Sequence, residues 1–331
     1  MRKKITLITG ANGEIGQGLI KLLYKKGINN IVAFDLLPSN NEMQNMITNQ
    51  IIGDILDSNL LESINEKYEI TELYHLAALL STKSELYPEK AHEVNVTGTI
   101  NLLTLALKQG KLNNCPVKFF FPSSIAVYSI DKNNLNKITE EENNNPKTMY
   151  GCNKLYCENI GSYYSKKYSP YLIDFRCIRF PGIISPYTIP TGGTSDYLPE
   201  MLHSVIKNKP YKCFVKKNTR MPFMIMPDAV SAIYLLMNAQ KNKLCYDIYN
   251  ITSFNPSPEE FLNLLKEYVH DVNVSYQIND ERQKMVDSWP SDINDSKAFE
   301  DWGWKPKYNL KDSFEIYLIP ALEKFYNIKV N

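Results

Sequence analysis

The stretch Ile-Thr-Leu-Ile-Thr-Gly-Ala-Asn-Gly-Glu-Ile-Gly-Gln-Gly-Leu-Ile at positions 5–20 is an apolar strand pattern that continues through a glycine turn into an amphipathic helix. Glycine suits this turn for steric reasons: the first permits the tight turn, the second lets backbone N–H groups approach a pyrophosphate, and the third lets the helix pack on the strand. The start of the helix adds free amides and a positive dipole. The turn therefore predicts a dinucleotide site. The residues predicted to form it are Gly10, Gly13, Glu14, Ile15 and Gly16.

A carboxylate after the second predicted strand indicates which dinucleotide is bound. Asp35 ends the second predicted strand, 19 residues beyond Gly16. At that place it accepts hydrogen bonds from both ribose hydroxyls and repels a 2′-phosphate, and the next two residues are leucines, which supply no compensating cation. The sequence therefore favours NAD over NADP. Asp54 and Ile55 follow the third predicted strand and are placed to contact the adenine, the alternative for Asp54 being a turn former.

Strand and helix patterns alternate through the first half of the chain. Such alternation predicts an α/β Rossmann fold, a doubly wound parallel sheet covered by helices on both faces. We predict an NAD-binding domain at residues 1–180 and a smaller mixed C-terminal substrate lobe at 181–331, interleaved with it, and a solvated insertion at Asn133–Asn145. The predicted strands are Ile5–Thr9, Ile31–Asp35, Gln50–Gly53, Glu72–Leu76, Val117–Phe121 and Leu172–Arg179, and the predicted helices are Ile15–Lys26, Leu60–Lys67, Ala91–Gln109 and Met149–Lys167.

The composition is that of a globular enzyme. Among 331 residues, 44% are hydrophobic and 22% charged, and the net charge of +1 lacks the basic excess of a nucleic-acid binder. No apolar run is long enough to span a membrane. The N-terminus shows no signal or transit segment, so a cytoplasmic location is expected, with the mitochondrial matrix as the alternative if a transit segment is missing from this sequence. Six scattered cysteines predict reduced thiols and no metal site.

A tyrosine and a lysine supply the candidate chemistry. Tyr150 and Lys154 lie one turn apart on one face of a predicted helix. A nearby ammonium and a positively charged nicotinamide would lower the pKa of the phenol, ordinarily near 10. Ser124 ends the fifth predicted strand, where its hydroxyl would hold a substrate oxygen or, alternatively, cap a turn. Asn95, in the middle of a predicted helix, would bridge to Lys154 through water or bend that helix.

Taken in order, these elements resemble the extended short-chain dehydrogenases, the NAD-dependent epimerase/dehydratase family. The resemblance covers nearly all of residues 1–185 and includes His75-Leu76-Ala77-Ala78 and Ser123-Ser124. It implies that Tyr150 is the catalytic acid/base, assisted by Lys154 and Ser124. It also implies further cofactor contacts, at Leu76, Ala77, Ala78, Asn95, Tyr150, Lys154, Phe180, Gly182 and Ile183.

A narrower resemblance is to the short-chain type of L-threonine 3-dehydrogenases. It implies NAD-dependent oxidation of the L-threonine β-hydroxyl to 2-amino-3-oxobutyrate, with Tyr150 taking the proton, and a substrate pocket lined by Ser81, Ser124, Tyr150, Thr194 and Trp289. It further implies a homodimer and a functional link to 2-amino-3-oxobutyrate CoA ligase. The segments that carry it are residues 77–81, 175–185, 192–197, 219–222, 288–290 and 301–304.

One segment departs from that family, and two features suggest motion. Thr82-Lys83-Ser84 stands where the family usually has small residues and a glycine. Trp289, held rigid by Pro290, is interpreted as a lid that excludes water, with Gly192-Gly193 as a hinge beside Thr194. The alternative for Trp289 is core filling.

Two other functions remain open. A nucleotide-sugar epimerase or dehydratase would share the fold and the Tyr/Lys chemistry, and it would grip a diphosphate with basic side chains such as Arg220 and Arg282. A non-catalytic NAD-sensing protein would keep the fold without turnover. Binding of a UDP-sugar distinguishes the first alternative, and turnover of NAD with threonine distinguishes the second.

Overall fold

Eleven strands lie in the parts of the chain that the computed structural model describes, residues 2–130, 137–168, 170–190 and 193–329. The strands are β1 (Lys3–Thr9), β2 (Ile31–Asp35), β3 (Asn49–Ile52), β4 (Tyr68–His75), β5 (Val117–Ser124), β6 (Ile173–Phe180), β7 (Gly182–Ile184), β8 (Tyr211–Cys213), β9 (Phe223–Ile225), β10 (Ile248–Asn250) and β11 (Val274–Tyr276).

Seven of these strands form one sheet in the order β10-β6-β5-β4-β1-β2-β3, and every neighbouring pair is parallel. The predicted Rossmann sheet is confirmed. The strand order reverses between β1 and β4, so a crevice opens at the carboxyl ends of these two strands, the usual ligand position in such sheets. Two small sheets, β8 with β11 and β7 with β9, lie outside it.

Helices alternate with the strands of the main sheet, and others follow in the C-terminal part. They are α1 (Glu14–Lys25), α2 (Asn41–Gln44), α3 (Ser58–Lys67), α4 (Ser81–Leu86), α5 (Pro88–Ala91), α6 (Gly98–Asn113), α7 (Met149–Tyr163), α8 (Tyr197–Ile206), α9 (Met226–Asn238), α10 (Pro258–Leu265), α11 (Asp280–Asp287), α12 (Ser296–Trp302), α13 (Leu310–Asp312) and α14 (Ile319–Tyr326), with π-helical turns at His92–Thr97, Tyr164–Tyr168 and Ser313–Leu318 and 3₁₀ turns at Ile125–Val127 and Lys241–Lys243.

Successive side chains along each strand point to opposite faces of the main sheet, so buried core side chains lie on both faces. Phe119 and Phe121 of β5 point to the face covered by α3, α6 and α7, whereas Phe120 points to the face covered by α1 and α9. Burial of apolar side chains on both faces explains why these strands are almost continuously hydrophobic. None of the helices in the described ranges has the length and apolar character that a membrane crossing requires.

A third cluster of buried side chains belongs mainly to the C-terminal part of the chain. It includes Tyr197, Phe261 and Trp289, and it also takes in Ile125 and Tyr128 from the turn after β5. The chain beyond residue 181 also returns to the main sheet, because β10 pairs with β6. The boundary at residues 180/181 stays a prediction.

Two local predictions were wrong. The predicted helix Ala91–Gln109 is interrupted by the π-helical turn His92–Thr97, which contains Asn95, whose side chain bonds to Leu79. The predicted insertion Asn133–Asn145 lies partly outside the described residues. Its described part is anchored rather than solvated, since Ile138 is buried and forms a bridge with Ile293.

Candidate active site

The glycine turn follows the carboxyl end of β1 and leaves room for an anion. Gly10 has a left-handed φ of +64°, and a Cβ there would lie 2.5 Å from the nitrogen of Ala77. A Cβ on Gly16 would lie 2.5 Å from the carbonyl oxygen of Gly10. Gly13 is exposed, and no described side chain caps the first turn of α1. The amides at the start of α1 are therefore available to a pyrophosphate, and the turn fits a dinucleotide.

Asp35 lies beside that turn. Its Oδ2 accepts a hydrogen bond of 2.9 Å from the backbone nitrogen of Asn12, and Oδ1 accepts one of 3.3 Å from Leu37. Leu36 and Leu37 are exposed and bring no positive charge. The carboxylate is thus held next to the predicted cofactor site, which suits a ribose diol and disfavours a 2′-phosphate.

The other predicted cofactor contacts converge on the same crevice. Leu76 donates its backbone N–H to the Thr9 carbonyl at 3.1 Å, which places residues 76–78 beside the glycine turn. Ile15, Leu76 and Ile183 pack against the apolar cluster in which Phe180 is buried. Gly182 opens β7, where an added Cβ would meet the Phe223 ring at 2.5 Å.

The adenine prediction has a weaker structural basis. Asp54 Oδ1 accepts a hydrogen bond of 3.0 Å from the backbone nitrogen of Leu56, so this carboxylate forms a turn. Ile55 is buried beside Gly98 of α6. Contact of these two residues with adenine stays a prediction.

Tyr150, Lys154 and Ser124 meet at the end of β5. Lys154 Nζ donates a hydrogen bond of 2.6 Å to the carbonyl of Pro122, two residues before Ser124. Gly151 brings α7 close to the turn after β5, since an added Cβ would overlap the carbonyl oxygen of Ala126. The main sheet and α7 therefore hold the three predicted catalytic residues in one place.

Burial sets the protonation of this group. It lowers the pKa of Lys154 to about 8 and raises the pKa of Tyr150 above its ordinary value. Lys154 Nζ lies over the Tyr150 ring, 5.4 Å from its centroid, and the lowering of the Tyr150 pKa by this ammonium together with a bound nicotinamide stays a prediction. Ser124 Oγ accepts a hydrogen bond of 3.2 Å from Ala126, so it caps the 3₁₀ turn, the alternative considered for it.

Asn95 holds a loop through direct hydrogen bonds, and its bridge to Lys154 through water stays a prediction. Its Oδ1 accepts from the backbone nitrogen of Leu79 at 2.8 Å, and its Nδ2 donates to the Leu79 carbonyl at 3.1 Å and to Asn153 Oδ1 at 3.3 Å. Asn153 is one of the buried residues of α7. The residue thus ties the segment after β4 to the helix that carries Tyr150.

The predicted substrate residues Ser81, Thr194 and Trp289 are linked to α7 or to the cluster against which Tyr150 packs. Trp289 is buried in the cluster against which Tyr150 packs, and Thr194 donates a hydrogen bond of 3.1 Å to Met285, which packs there too. Ser81 begins α4, which packs on α7. Trp289 therefore fills a core position, and its action as a lid stays a prediction. Gly192 lies outside the described residues.

The departing segment Thr82-Lys83-Ser84 is helical. It forms part of α4, and Ser84 is buried with its hydroxyl donating to the Leu79 carbonyl at 3.0 Å. The hydroxyl of Ser84 therefore has a hydrogen-bond partner although the side chain is buried.

Two functional contacts were missed from the sequence. Arg179 at the end of β6 forms a buried ion pair of 2.6 Å with Glu158 on α7 and donates to the Tyr128 hydroxyl at 2.8 Å. Glu158 lies one turn beyond Lys154, and that spacing was an available signal. Glu85 accepts from the amides of Met149 and Tyr150, and no local pattern indicates a contact between residues so far apart in sequence.

A glycine turn that fits a pyrophosphate at the switch point, the Asp35 carboxylate beside it and a Ser/Tyr/Lys group near the end of β5 are the features of a nicotinamide-dependent protein of the short-chain dehydrogenase class. The chain belongs to the NAD dependent epimerase/dehydratase family, whose model matches residues 6–252. This membership confirms the predicted family and its NAD cofactor.

Relatives extend the similarity over almost the whole chain. The chain is 35% identical to the mitochondrial L-threonine 3-dehydrogenase of Bos taurus over 308 residues, covering 92% of this chain and 79% of that protein. The structure of an L-threonine dehydrogenase from Clostridium difficile matches with a TM-score of 0.87 and 35% identity, covering 98% of this chain and 99% of that one. A monomeric L-threonine 3-dehydrogenase from a metagenome matches with a TM-score of 0.86 and 37% identity, covering 97% and 100%.

Proposed function

We propose that this protein is an NAD-dependent L-threonine 3-dehydrogenase. It converts L-threonine and NAD⁺ to 2-amino-3-oxobutyrate, NADH and a proton. The observation that carries the proposal is the extent of the similarity, because proteins named for this activity match 92% and 98% of the chain. The similarity therefore includes the C-terminal part, where Thr194 and Trp289 lie.

The chain's own residues have separate tasks. Tyr150 accepts the proton of the threonine β-hydroxyl, and Ser124, at the end of β5, hydrogen-bonds that oxygen and orients it. NAD⁺ bound at the glycine turn would accept the hydride from the threonine Cβ. Because burial raises the pKa of Tyr150, its deprotonation depends on the positive charge of Lys154, whose own pKa of about 8 leaves the ammonium largely charged at neutral pH.

The pocket also has to satisfy a zwitterion. Unpaired charged ends of threonine would cost several kcal/mol on burial. Hydroxyls at Ser81 and Thr194 are suited to the carboxylate, and Thr194 is itself buried. Trp289, in the cluster that packs against Tyr150, excludes water from the reacting atoms.

The rival epimerase function requires cations for a diphosphate. Both candidate arginines are engaged within the protein: Arg220 pairs with Glu260 and donates to the Asn255 carbonyl at 2.9 Å, and Arg282 donates to the Gly193 carbonyl at 2.6 Å while its guanidinium lies over Phe214. Freeing either arginine would break these contacts. A small amino-acid substrate needs no such rearrangement.

The decisive experiment is NADH formation with the purified protein against L-threonine, D-threonine, L-serine and UDP-sugars. Turnover is expected with L-threonine in preference to the others. Binding of a UDP-sugar without threonine oxidation would favour the epimerase alternative, and NAD binding without any turnover would favour the NAD-sensing alternative.

We further propose a homodimer that forms through α7. Its exposed residues recur at Cys152, Tyr156, Asn159 and Tyr163, a spacing that places them on one stripe, which we call the α7 stripe. Leu86 and Tyr87, next to α7, are also exposed. An exposed face that carries two tyrosines of α7, with Leu86 and Tyr87 beside it, fits a second copy of the chain.

Two cellular features complete the proposal. The six cysteines are free thiols, as a reducing compartment such as the cytoplasm requires, and fractionation of the cell would test that location.

The product is an unstable β-keto acid, so a 2-amino-3-oxobutyrate CoA ligase is the expected consumer. Addition of that enzyme should accelerate threonine oxidation if product accumulation limits it.

A further inference from the structure

We infer that Glu85 is a positioning residue, whose carboxylate fastens α4, the helix that begins with Ser81, to the first turn of α7, which carries Tyr150. It thereby fixes the substrate-binding segment relative to the catalytic tyrosine. The role in threonine binding rests on the proposed function, whereas the contact between the two helices does not.

The contact is a helix cap supplied from a distant part of the chain. Glu85 Oε1 accepts a hydrogen bond of 2.7 Å from the backbone nitrogen of Met149 and a longer one of 3.5 Å from that of Tyr150. The next amide, of Gly151, donates to the N-cap side chain of Thr148 at 3.0 Å. Amides in the first turn lack partners within their own helix, and a carboxylate there also interacts favourably with the helix dipole.

The segment between β4 and α5 is fastened to α7 at two points of different character. At the Leu79 end, the bonds of Asn95 to Leu79 and to Asn153 involve two buried amides. At the other end the link is the exposed carboxylate of Glu85. Ser81 lies between the two points. Loss of Glu85 should therefore loosen the α4 end and leave the buried attachment at Leu79 in place.

The position of Ser81 explains which kinetic parameter should respond. Tyr150 and Lys154 are also held on the sheet by the hydrogen bond of Lys154 to Pro122 and the close approach of Gly151 to Ala126, contacts that do not involve Glu85. A looser α4 should weaken the contact of Ser81 with threonine without removing the proton acceptor. KM for threonine should therefore change more than kcat, and NAD affinity should not change.

The test compares Glu85→Ala with Glu85→Gln, which keeps an oxygen that can accept the same two bonds. Glu89→Ala is the control, since Glu89 is an exposed carboxylate that lines a groove beside Met149 together with His92 and Glu93. Glu85→Ala should raise KM for threonine about tenfold, the loss of one hydrogen bond to a charged group. Glu85→Gln should restore most of that loss, and Glu89→Ala should match the wild type.

Hydrogen exchange supplies a readout that does not depend on turnover. Amides in a peptide covering residues 147–153 should exchange faster in Glu85→Ala than in the wild type or in Glu85→Gln. The inference would be overturned if Glu85→Ala changed neither KM for threonine nor the exchange of these amides. It would also be overturned if the variant lowered the thermal midpoint but left KM unchanged, because that result would mean that Glu85 has only a structural role. If the wild type does not oxidise threonine, the proposed function fails, and exchange alone then decides whether the contact exists.

Discussion

Tyr150 is the second residue of α7 and packs, half-buried, against the cluster that contains Trp289. Tyr150→Phe keeps the ring and its packing and removes only the group that moves the proton. We expect kcat to fall by roughly 10²- to 10⁴-fold, with the NAD dissociation constant nearly unchanged. NADH formation and calorimetric NAD titration measure the two effects. Tyr156→Phe, on the exposed side of the same helix, is the matched control, and activity of Tyr150→Phe within tenfold of wild type would contradict the assignment.

At the residue scale, Asp35 is predicted to decide the choice between NAD and NADP. Asp35→Ala removes the carboxylate that lies beside the glycine turn, and with it both the predicted ribose hydrogen bonds and the repulsion of a 2′-phosphate. NAD should bind more weakly, and the preference for NAD over NADP should shrink. Dissociation constants for the two cofactors measure this. A wild-type protein that already prefers NADP would show that Asp35 has another role.

His75 makes the fold sensitive to acid. Its ring lies buried between the hydroxyls of Thr9 and Thr99, each at 2.9 Å, and burial lowers its pKa to about 3. The unfolded chain, with a histidine pKa of about 6.5, binds the proton first as the pH falls, so this contribution to stability is complete above pH about 6.5 and is lost progressively toward pH about 3. Between pH 7 and 5 the loss is about 2 kcal/mol.

His75→Gln removes the titrating group and should therefore flatten the fall in the free energy of unfolding between pH 7 and 5, although it lowers stability at pH 7. Urea unfolding at both pH values measures the difference. His270→Gln, at an exposed position, should leave the pH dependence as in the wild type. An equally steep fall in His75→Gln would place the acid sensitivity elsewhere.

At the scale of elements, α7 is held close to the sheet by glycines. An added Cβ on Gly161 would overlap the ring of Phe175 in β6. Gly161→Ala should therefore lower the free energy of unfolding by about 1–3 kcal/mol, despite the better helix propensity of alanine. Gly18→Ala in α1 is the control, because its nearest neighbour is the flexible Val230 side chain at 3.1 Å. Urea unfolding compares them, and equal effects would mean that α7 can shift without cost.

The sequence predicted the elements that depend on local pattern. The predicted strand Ile31–Asp35 has the bounds of β2, and the Tyr150 helix begins at Met149 as expected. The short strand β10 was missed, because three residues carry too little periodicity and only pairing with β6 makes them a strand. The π-helical turn at Asn95 was also not predicted, and the bond of Asn95 to Leu79, 16 residues away, is a contact that no local pattern indicates.

The candidate site also has parts that a local sequence pattern predicts and parts that depend on contacts between elements. Motifs such as the glycine turn and the Tyr150/Lys154 pair are local, so the sequence alone indicates the turn that precedes α1 and the helix that carries the pair. The direction of the Lys154 ammonium depends on the Pro122 carbonyl of another element, and the cap from Glu85 depends on how α4 packs. Both contacts depend on tertiary packing, which residue spacing in the sequence does not predict.

At the scale of the whole molecule, the α7 stripe predicts the assembly. Tyr156 is 47% exposed in the single chain, and it lies at the middle of the stripe, so a second copy would cover it. We expect a dimer in sedimentation experiments at micromolar concentration and a thermal midpoint that rises with protein concentration. Tyr156→Glu should yield monomers, because two carboxylates would face each other across a symmetric, desolvated contact.

The matched control for this experiment is Tyr24→Glu, since Tyr24 is 46% exposed but lies on α1, away from the stripe. It should leave the dimer intact. The size of the wild type is itself informative, because one relative with 37% identity is described as monomeric. A monomeric wild type would overturn the dimer without touching the proposed reaction, since Tyr150, Lys154 and Ser124 all come from one chain and meet at the end of a single strand.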